Sequence, residues 1–306
     1  MMTVETRIVN AAHLRTAFII NPVAGGVSTR AARRQRIEDF TRRHRINGTI
    51  ELSRHGGHAT GLAREAIAAG AQLVVSVGGD GTLNEVAAAL VDTGVLYGMI
   101  PTGSGNGLGR DLGLPLDFDR ALEVLLKGTV REIDSGVVNG LPFFNVMGLG
   151  FDAEIGRRFN LSRQRGLFSY LRIGLVTFFN YRRQSLVIES DSGERLSVEA
   201  FLASVANSTQ YGNNAHIAPR ALLDDGRLDL VAVTTRNLFF AVPLVLRMFA
   251  GSIDRSRYVR SISGTRFLIR RTTLGPIHTD GEIHDCSAEL EVSVRPRSLR
   301  VVVPGA

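Results

Sequence analysis

The sequence predicts two architectures in one chain: an α/β domain of three layers around a parallel sheet, then a mainly antiparallel β-sandwich domain. Three observations carry this. From Ala17 to Ile133 short apolar runs alternate with helical periodicity, three of those runs end in glycine-rich turns, and after Asp134 the pattern changes to strand pairs joined by turn residues. The expected domains are residues 1–134 and 135–297, with the final apolar run Leu299 to Val303 free to return to either sheet.

Taken in order, the run Ala17 to Ile20 leads into Asn21-Pro22-Val23-Ala24-Gly25-Gly26. Ala59, Leu62, Ala63, Ala66 and Ile67 then share one helical face. Leu73 to Val77 leads into Gly78-Gly79-Asp80-Gly81-Thr82-Leu83-Asn84-Glu85, and Tyr97 to Ile100 into Pro101-Thr102-Gly103-Ser104-Gly105-Asn106-Gly107-Leu108-Gly109. Parallel strands align such turns along their carboxyl edge, where α/β folds bind nucleotides. Glycines at 78, 79 and 81 let amides approach an anion, and a following helix N-terminus favours negative charge. Asp80 would repel bare phosphate, so it implies either an intervening Mg²⁺ or a proton-handling role; an ordinary tight turn with a solvated Asp is the alternative.

In the second half, Asn139-Gly140 separates Gly136 to Val138 from Leu141 to Val146, and Asp191-Ser192-Gly193 separates Leu186 to Glu189 from Leu196 to Val205. Two helical insertions are expected, near Glu154 to Tyr181 and Asn237 to Gly251.

Composition narrows the function classes. The chain has 306 residues, 44% of them hydrophobic, ample for a buried core. Its single cysteine, Cys286, forbids an internal disulfide framework, and with an N-terminus lacking a signal pattern it suggests a reducing cytoplasm. No apolar stretch reaches the ~20 residues of a spanning helix. The only lysine, Lys127, lies between Leu126 and Gly128, which excludes a Gly-Lys-Ser/Thr P-loop, and no register of the second loop gives Gly-x-Gly-x-x-Gly. Phosphate charge must therefore be met by amides, arginine or metal.

The net charge of +7 favours an anionic partner. Nucleic acid is not expected, because no nucleic-acid-binding signature is present. A membrane surface fits better: Arg157, Arg158, Arg163, Arg165, Arg172, Arg182 and Arg183 are mixed with Leu161, Leu167, Phe168, Tyr170, Leu171, Phe178 and Phe179, as in an interfacial helix. A packed helix with a solvated basic face accounts for the same residues.

Asn-Pro-x-x-Gly, Gly-Gly-Asp-Gly-Thr-Leu-Asn-Glu and Gly-Ser-Gly-Asn, in this order and spacing, resemble the diacylglycerol kinase catalytic domain shared by soluble bacterial lipid kinases and sphingosine kinases. The likeness continues through Asn207-Ser208-Thr209-Gln210-Tyr211-Gly212, Ala218-Pro219, Asp224-Asp225-Gly226-Arg227-Leu228-Asp229 and Asp280-Gly281-Glu282, and so spans nearly the whole chain. One Gly-Gly-Asp-Gly also occurs in NAD kinases and phosphofructokinases; the ordered set is the specific signal.

The resemblance implies an ATP- and Mg²⁺-dependent lipid kinase, cytoplasmic and peripheral at the inner membrane surface, whose C-terminal strand, about 298–306, rejoins the first domain. By position, Asn21, Pro22, Val23, Ala24, Gly25, Ser53, Gly79, Asp80, Gly81, Thr82, Leu83, Asn84, Glu85 and Ser104 match the family's ATP contacts, and Asn106 offers another short polar side chain. It makes Glu282 the general base of a diacylglycerol kinase, whereas a sphingosine kinase would use Asp80; with Glu282 as base, Asp80 and Asp280 fall to the metal and water network, and taken alone Asp280-Gly281 reads as a hairpin turn. A structural Mg²⁺ would take the backbone oxygens of Leu222 and Arg227 and the side chain of Asp225; an acidic β-turn is the alternative there. His278, His284 and Asp285 match no zinc spacing and read as solvated loop residues.

One departure bears on the substrate. Many bacterial diacylglycerol kinases carry Asn-Asp-Phe-Ala-Arg in the second loop, where this chain has Asn106-Gly107-Leu108-Gly109-Arg110. That leans toward sphingosine kinases, and Glu154 falls where those enzymes place an acid for the sphingoid amine; a core-edge acid is the other reading. Diacylglycerol leads, with a sphingoid base or phosphatidylglycerol behind it. NAD kinase and an inactive lipid- and nucleotide-binding protein are the rivals, and the sequence leaves room for a homodimer.

Overall fold

A computed structural model describes residues 8–24, 30–161, 176–178, 180–235 and 237–305. Met1–Ile133 with Arg297–Ala306 form one compact unit and Asp134–Pro296 another.

In the first unit, strands β1 (Thr16–Ile20), β2 (Gly48–Leu52), β3 (Leu73–Gly78) and β4 (Leu96–Pro101) are all parallel, in the order β2-β1-β3-β4. Arg300 and Val301 pair in parallel with Leu96 and Tyr97, so the C-terminal residues extend the same sheet. Every residue of β1 and β3 is buried, as expected for central strands covered by helices on both faces. The helices are α1 (Arg30–Arg43), α2 (His58–Ala68), α3 (Asp80–Leu90), the short α4 (Gly107–Asp111) and α5 (Phe118–Lys127). On α2 the expected face is the inner one: Ala59, Leu62 and Ala63 are buried. Helix α5 starts at Asp117, whose carboxylate caps the Arg120 amide at 3.0 Å, and stops at Gly128. Strand β5 (Thr129–Val138) leads out of this unit.

The second unit contains β6 (Leu141–Phe143), β7 (Val146–Gly150), α6 (Phe151–Leu161), β8 (Gln184–Ser190), β9 (Arg195–Ala200), β10 (Leu202–Ala206), β11 (Gln210–Gly212), β12 (Ala215–His216) and β13 (Leu228–Val233). It continues with α7 (Leu238–Phe249), β14 (Val259–Gly264), β15 (Arg266–Arg271), β16 (Gly275–Thr279), β17 (Glu282–Cys286) and β18 (Glu289–Val303), whose residues from Arg297 onward belong to the first unit. One antiparallel layer runs β14-β13-β10-β7-β16-β17, the other β18-β15-β8-β9. Between them Met147, Leu149, Val205, Leu230 and Ile277 meet Leu186, Ile188, Phe267, Ile269 and Leu290. Strand alternation sends Val231 and Val233 to the opposite face, where they pack with Leu244 of α7.

Two expected strands are each two. Leu141 to Val146 breaks at Phe144-Asn145, whose amides turn toward the Asp280 carboxylate instead of a neighbouring strand. Leu196 to Val205 breaks at Phe201, where the chain passes from one layer to the other and the Phe201 ring joins Phe151, Phe178 and Tyr181. The first helical insertion is described from Phe151 to Leu161; Arg163, Arg165, Leu167, Phe168, Tyr170, Leu171, Arg172 and Phe179 lie outside the described residues. Among the described residues no helix is long and apolar enough to cross a membrane.

Candidate active site

The site in the first unit is built where β3 and β4 end. Gly79 leads into α3 in extended conformation, with no side chain capping the helix. The two glycine loops touch along their backbones: a Cβ on Gly103 would lie 2.7 Å from the Gly79 Cα, so the second loop admits no side chain at the crossing, and one on Gly79 would be tight at 3.3 Å. Asp80 fastens them. Its two carboxylate oxygens accept the amides of Asn106 and Gly107, each at 2.9 Å. A charged acceptor serving two amides is a strong link, and it gives Asp80 a structural task that the sequence did not reveal.

Asn106 completes the second loop. Buried and left-handed at φ 51°, it accepts the Gly103 amide at 3.0 Å and donates to the Gly103 carbonyl at 2.8 Å. Asn21 fixes the first loop, accepting the Val23 amide at 3.0 Å and donating to the Thr82 hydroxyl at 2.8 Å. Pro22 is buried beside it and Val23 exposed, while the Ala24 carbonyl accepts from the Arg33 guanidinium. Gly25 lies outside the described residues. Ser53 is buried at the end of β2, its amide on the Ile20 carbonyl at 2.9 Å. Glu85 accepts the Ala59 amide at 3.0 Å, acting at the start of α2. The Leu83 side chain is core, and its carbonyl accepts the hydroxyl of Tyr97, a phenol whose burial keeps it neutral. Gly81 and Ser104 are exposed, and Asn84 is half-buried on α3.

Beside the second loop lies a cavity of about 340 Å³ lined by Arg33, Arg36, Arg110, Thr102, Gly103 and Asn106, with Phe118 and Leu116 on its apolar side. Arg33 and Arg36 are neighbours on α1; burial, then the nearby Arg36 charge, lowers the Arg33 pKa. Arg36 lies 4.7 Å from the Phe118 ring centre and pairs with Asp119. The Thr102 hydroxyl is buried and has no partner among the described residues. Three cations and an unpaired hydroxyl at one glycine loop suit a phosphorylated ligand. The sequence reading missed Arg33, Arg36 and Thr102; a chain almost without lysine must draw its phosphate cations from arginine, which was the available signal.

In the second unit, Asp280 and Gly281 form a two-residue hairpin turn with φ 51° and 89°, pairing Thr279 with Glu282. The Asp280 carboxylate accepts the amides of Phe144, Asn145 and Val146 at 2.7, 2.8 and 2.8 Å. As a residue Asp280 is half-buried, but its carboxyl group is enclosed; burial pushes its pKa up to about 6 against the opposing pull of the three amides. Glu282 is exposed, and its carboxylate has no hydrogen bond or ion pair among the described residues. Of the three acids assigned to the chemistry, two are occupied by main-chain amides and one is open.

His278 is not the solvated residue expected. It is buried, and its Nε2 meets the Asp152 carboxylate at 3.0 Å, while the Gly281 amide lies 3.4 Å from Nδ1. With Nδ1 accepting, the proton sits on Nε2 and is donated to Asp152. Asp152 also accepts the Tyr211 hydroxyl at 2.8 Å, which in turn meets Ser204. The chain Ser204, Tyr211, Asp152, His278 therefore ends on the backbone of the Asp280-Gly281-Glu282 turn. Gly148 makes room for it: a Cβ there would lie 2.3 Å from His278 Nε2 and 2.4 Å from an Asp152 oxygen. His284 bonds the Thr279 hydroxyl at 2.8 Å and Asp285 is exposed; among the described residues no three His, Cys, Asp or Glu side chains gather as a metal group.

Glu154 is buried and already paired, to Arg157 at 2.8 Å and Arg158 at 2.6 Å. A substrate amine would have to displace two guanidinium groups. Asp225 accepts the Arg227 amide at 2.9 Å, and the Gly226 amide goes to the buried Asp134 at 2.7 Å. Leu222 is exposed. These hydrogen bonds shape the turn that carries Leu222, Asp225 and Arg227. Asp134 is another acid that the sequence reading passed over, because a lone Asp at a strand position carries no local signal.

Residues 15–138 match the diacylglycerol kinase catalytic domain, and residues 145–303 match the YegS C-terminal NAD kinase beta sandwich-like domain. A curated protein of Bacillus subtilis named "Diacylglycerol kinase" is 28% identical over 277 residues, covering 88% of this chain and 89% of that protein. A Pseudomonas aeruginosa protein named "Probable lipid kinase YegS-like" is 31% identical over 265 residues, covering 83% and 84%. Among solved structures, a diacylglycerol kinase from Bacillus anthracis strain Sterne superposes with a TM-score of 0.71 over 98% of each chain at 19% identity, a likeness of fold. With its glycine-loop pair, its sandwich and both domains matched end to end, the chain belongs to the diacylglycerol kinase catalytic domain family and is a kinase of that family.

Proposed function

We propose that the chain is an ATP- and Mg²⁺-dependent lipid kinase that transfers the γ-phosphoryl group to a lipid hydroxyl, with diacylglycerol as the leading acceptor. The observation that carries this reading is the pair of glycine loops locked by Asp80 beside a cavity whose cations are Arg33, Arg36 and Arg110. The loop amides, the Thr102 hydroxyl and these arginines bind the donor phosphates, the task that lysine performs in P-loop enzymes. When bound, Mg²⁺ would supply neutralisation of the phosphate charge; among the protein's groups, the Asp80 oxygens retain lone pairs that would hold it or its waters. No dedicated all-protein cage is required, since this ion usually keeps several waters and phosphate ligands.

The acceptor oxygen forms the new bond to the γ-phosphorus as the bond to ADP breaks, and its proton passes to a carboxylate. Glu282 takes that proton, because it is the open acid, whereas Asp80 and Asp280 are held by two and three amides. The Asp152 and His278 pair positions the turn that presents Glu282. The engaged state of Glu154 favours an uncharged acceptor such as diacylglycerol over a sphingoid base.

Radiolabelled ATP and Mg²⁺ with a panel of diacylglycerol, sphingosine, phosphatidylglycerol and NAD test this reading. Expected is phosphorylated diacylglycerol, with Glu282→Gln lowering turnover by about 10²-fold or more while ATP binding persists. Phosphorylated NAD as the only product, or undiminished turnover in Glu282→Gln, refutes it.

A further inference from the structure

We propose that α7 and the arginine-lined groove beside it seat the chain on the surface of an anionic lipid bilayer, with the helix lying in the plane of the interface. The inference deepens the lipid-kinase reading and takes its occupant from it, since a kinase with a water-insoluble acceptor must meet that acceptor in a membrane.

Helix α7 reads Leu238 to Phe249 with one charge, Arg247, and no acid. A helix apolar on every side is ordinarily buried on every side. Among the described side chains this one packs through one stripe: Leu244, with Met248 beside it, rests on the outer face of the six-stranded layer, and Phe240 packs on Tyr258. Phe239, Val242, Leu246 and Phe249, spaced i, i+3, i+7 and i+10, form a second stripe that faces solvent, Phe239 being 86% and Leu246 65% exposed. Val245 widens it. At 12 residues the helix is too short to span a bilayer but suited to lie on one.

Charge beside the stripe selects the kind of surface. A groove of about 400 Å³ runs along the helix, lined by Phe240, Pro243, Arg247, Arg255, Arg257 and Tyr258, and no carboxylate lines it among the described residues. The nearby Asp254 is paired with Arg220 at 2.9 Å. Arg257 is held over the rings of Tyr258 and Phe240, at 4.9 and 5.9 Å, with its guanidinium on the Tyr258 hydroxyl at 2.7 Å. Apolar side chains at acyl depth flanked by arginines at headgroup level match a phosphate-bearing bilayer. A second copy fits worse, because a two-fold contact through this face would bring Arg247, Arg255 and Arg257 toward their own images.

The chain contains no tryptophan, so Phe239→Trp places a single indole on the exposed stripe. Expected with phosphatidylcholine vesicles containing phosphatidylglycerol is a blue-shifted emission quenched by brominated acyl chains, weak with phosphatidylcholine alone and reduced by salt. In the Phe239→Trp background, Leu246→Ser with Phe249→Ser, and separately Arg255→Glu with Arg257→Glu, should each lower vesicle binding by about tenfold or more. Both pairs are exposed, and turnover of a dispersed short-chain diacylglycerol should be unchanged. Emission blind to anionic vesicles overturns the proposal, as does a shift that follows protein concentration without vesicles, which would assign the face to a second copy. Vesicle docking without phosphorylation of any lipid would uphold this surface and remove the kinase reading; turnover of dispersed lipid without docking would do the reverse.

Discussion

Replacing Asp80 separates a structural from a chemical role for the acid in the Gly-Gly-Asp-Gly motif. Its carboxylate accepts the Asn106 and Gly107 amides at 2.9 Å each, at a crossing where a single added methyl on Gly103 would collide with Gly79. In Asp80→Asn one oxygen keeps one amide and the new NH₂ faces the other, donor against donor. One charge-assisted bond is lost, the other becomes neutral, and an amide is left unmet, a destabilisation of roughly 2 kcal/mol. Asp80→Ala loses both bonds, roughly 4 kcal/mol by the same reckoning. Because the link sets the position of the second loop, affinity for ATP should fall along with stability, and both should fall further in Ala than in Asn. Thermal or urea melts of the two variants, with ATP titrations by calorimetry and KM measured separately from kcat, read this out. Unchanged melting and unchanged KM for ATP with loss confined to kcat would refute the argument and return Asp80 to the chemistry as base or metal ligand.

Three further outcomes follow from the second unit. Gly148→Ala forces a Cβ between His278 and Asp152, so it should cost about 1–3 kcal/mol and lower kcat with KM for ATP retained, checked by urea melts and steady-state kinetics. The Asp280 carboxyl has a folded pKa near 6, above its unfolded value, so its contribution to stability is complete below about pH 4 and lost as pH rises through about 6. Relative to Asp280→Asn, which cannot titrate, the parent should lose up to ~2 kcal/mol between pH 4 and 7 and then stay level; parallel denaturation curves across that range check it. Glu154→Gln should leave diacylglycerol turnover within about twofold, since its carboxylate is occupied by Arg157 and Arg158, and a selective collapse of activity on sphingosine would contradict that.

What was legible in the sequence was whatever local chemistry dictates. Uninterrupted apolar runs marked buried parallel strands, glycine turns marked their ends, and Asn139-Gly140 and Asp280-Gly281 sat in left-handed turns because those residues tolerate positive φ. What was illegible depended on partners distant in the chain. Asp80 finds its amides 26 and 27 residues away, and His278 its carboxylate 126 residues away, so neither leaves a local pattern. The break at Phe201 escaped notice for a related reason, because an apolar run looks the same whether it stays in one layer or changes layers at an aromatic cluster. One hint was present: an isolated glycine inside a strand signals close approach, and Gly148 in β7 lies against the His278 and Asp152 pair.

Read this way, the acids of the motif set divide by what already holds them. An acid that accepts two or three main-chain amides has its oxygens committed to the backbone and is fixed in place by it. Glu282 stands on the same turn as Asp280 yet points its carboxylate to solvent, so protonating it disturbs no amide. Asp280 and the His278 and Asp152 pair hold the turn rigid, and a rigid turn with one unencumbered carboxylate is what acceptance of a hydroxyl proton requires. Asp80 belongs to the held acids on the same ground: it grips the Gly107 amide itself, so the second loop is positioned through its main chain.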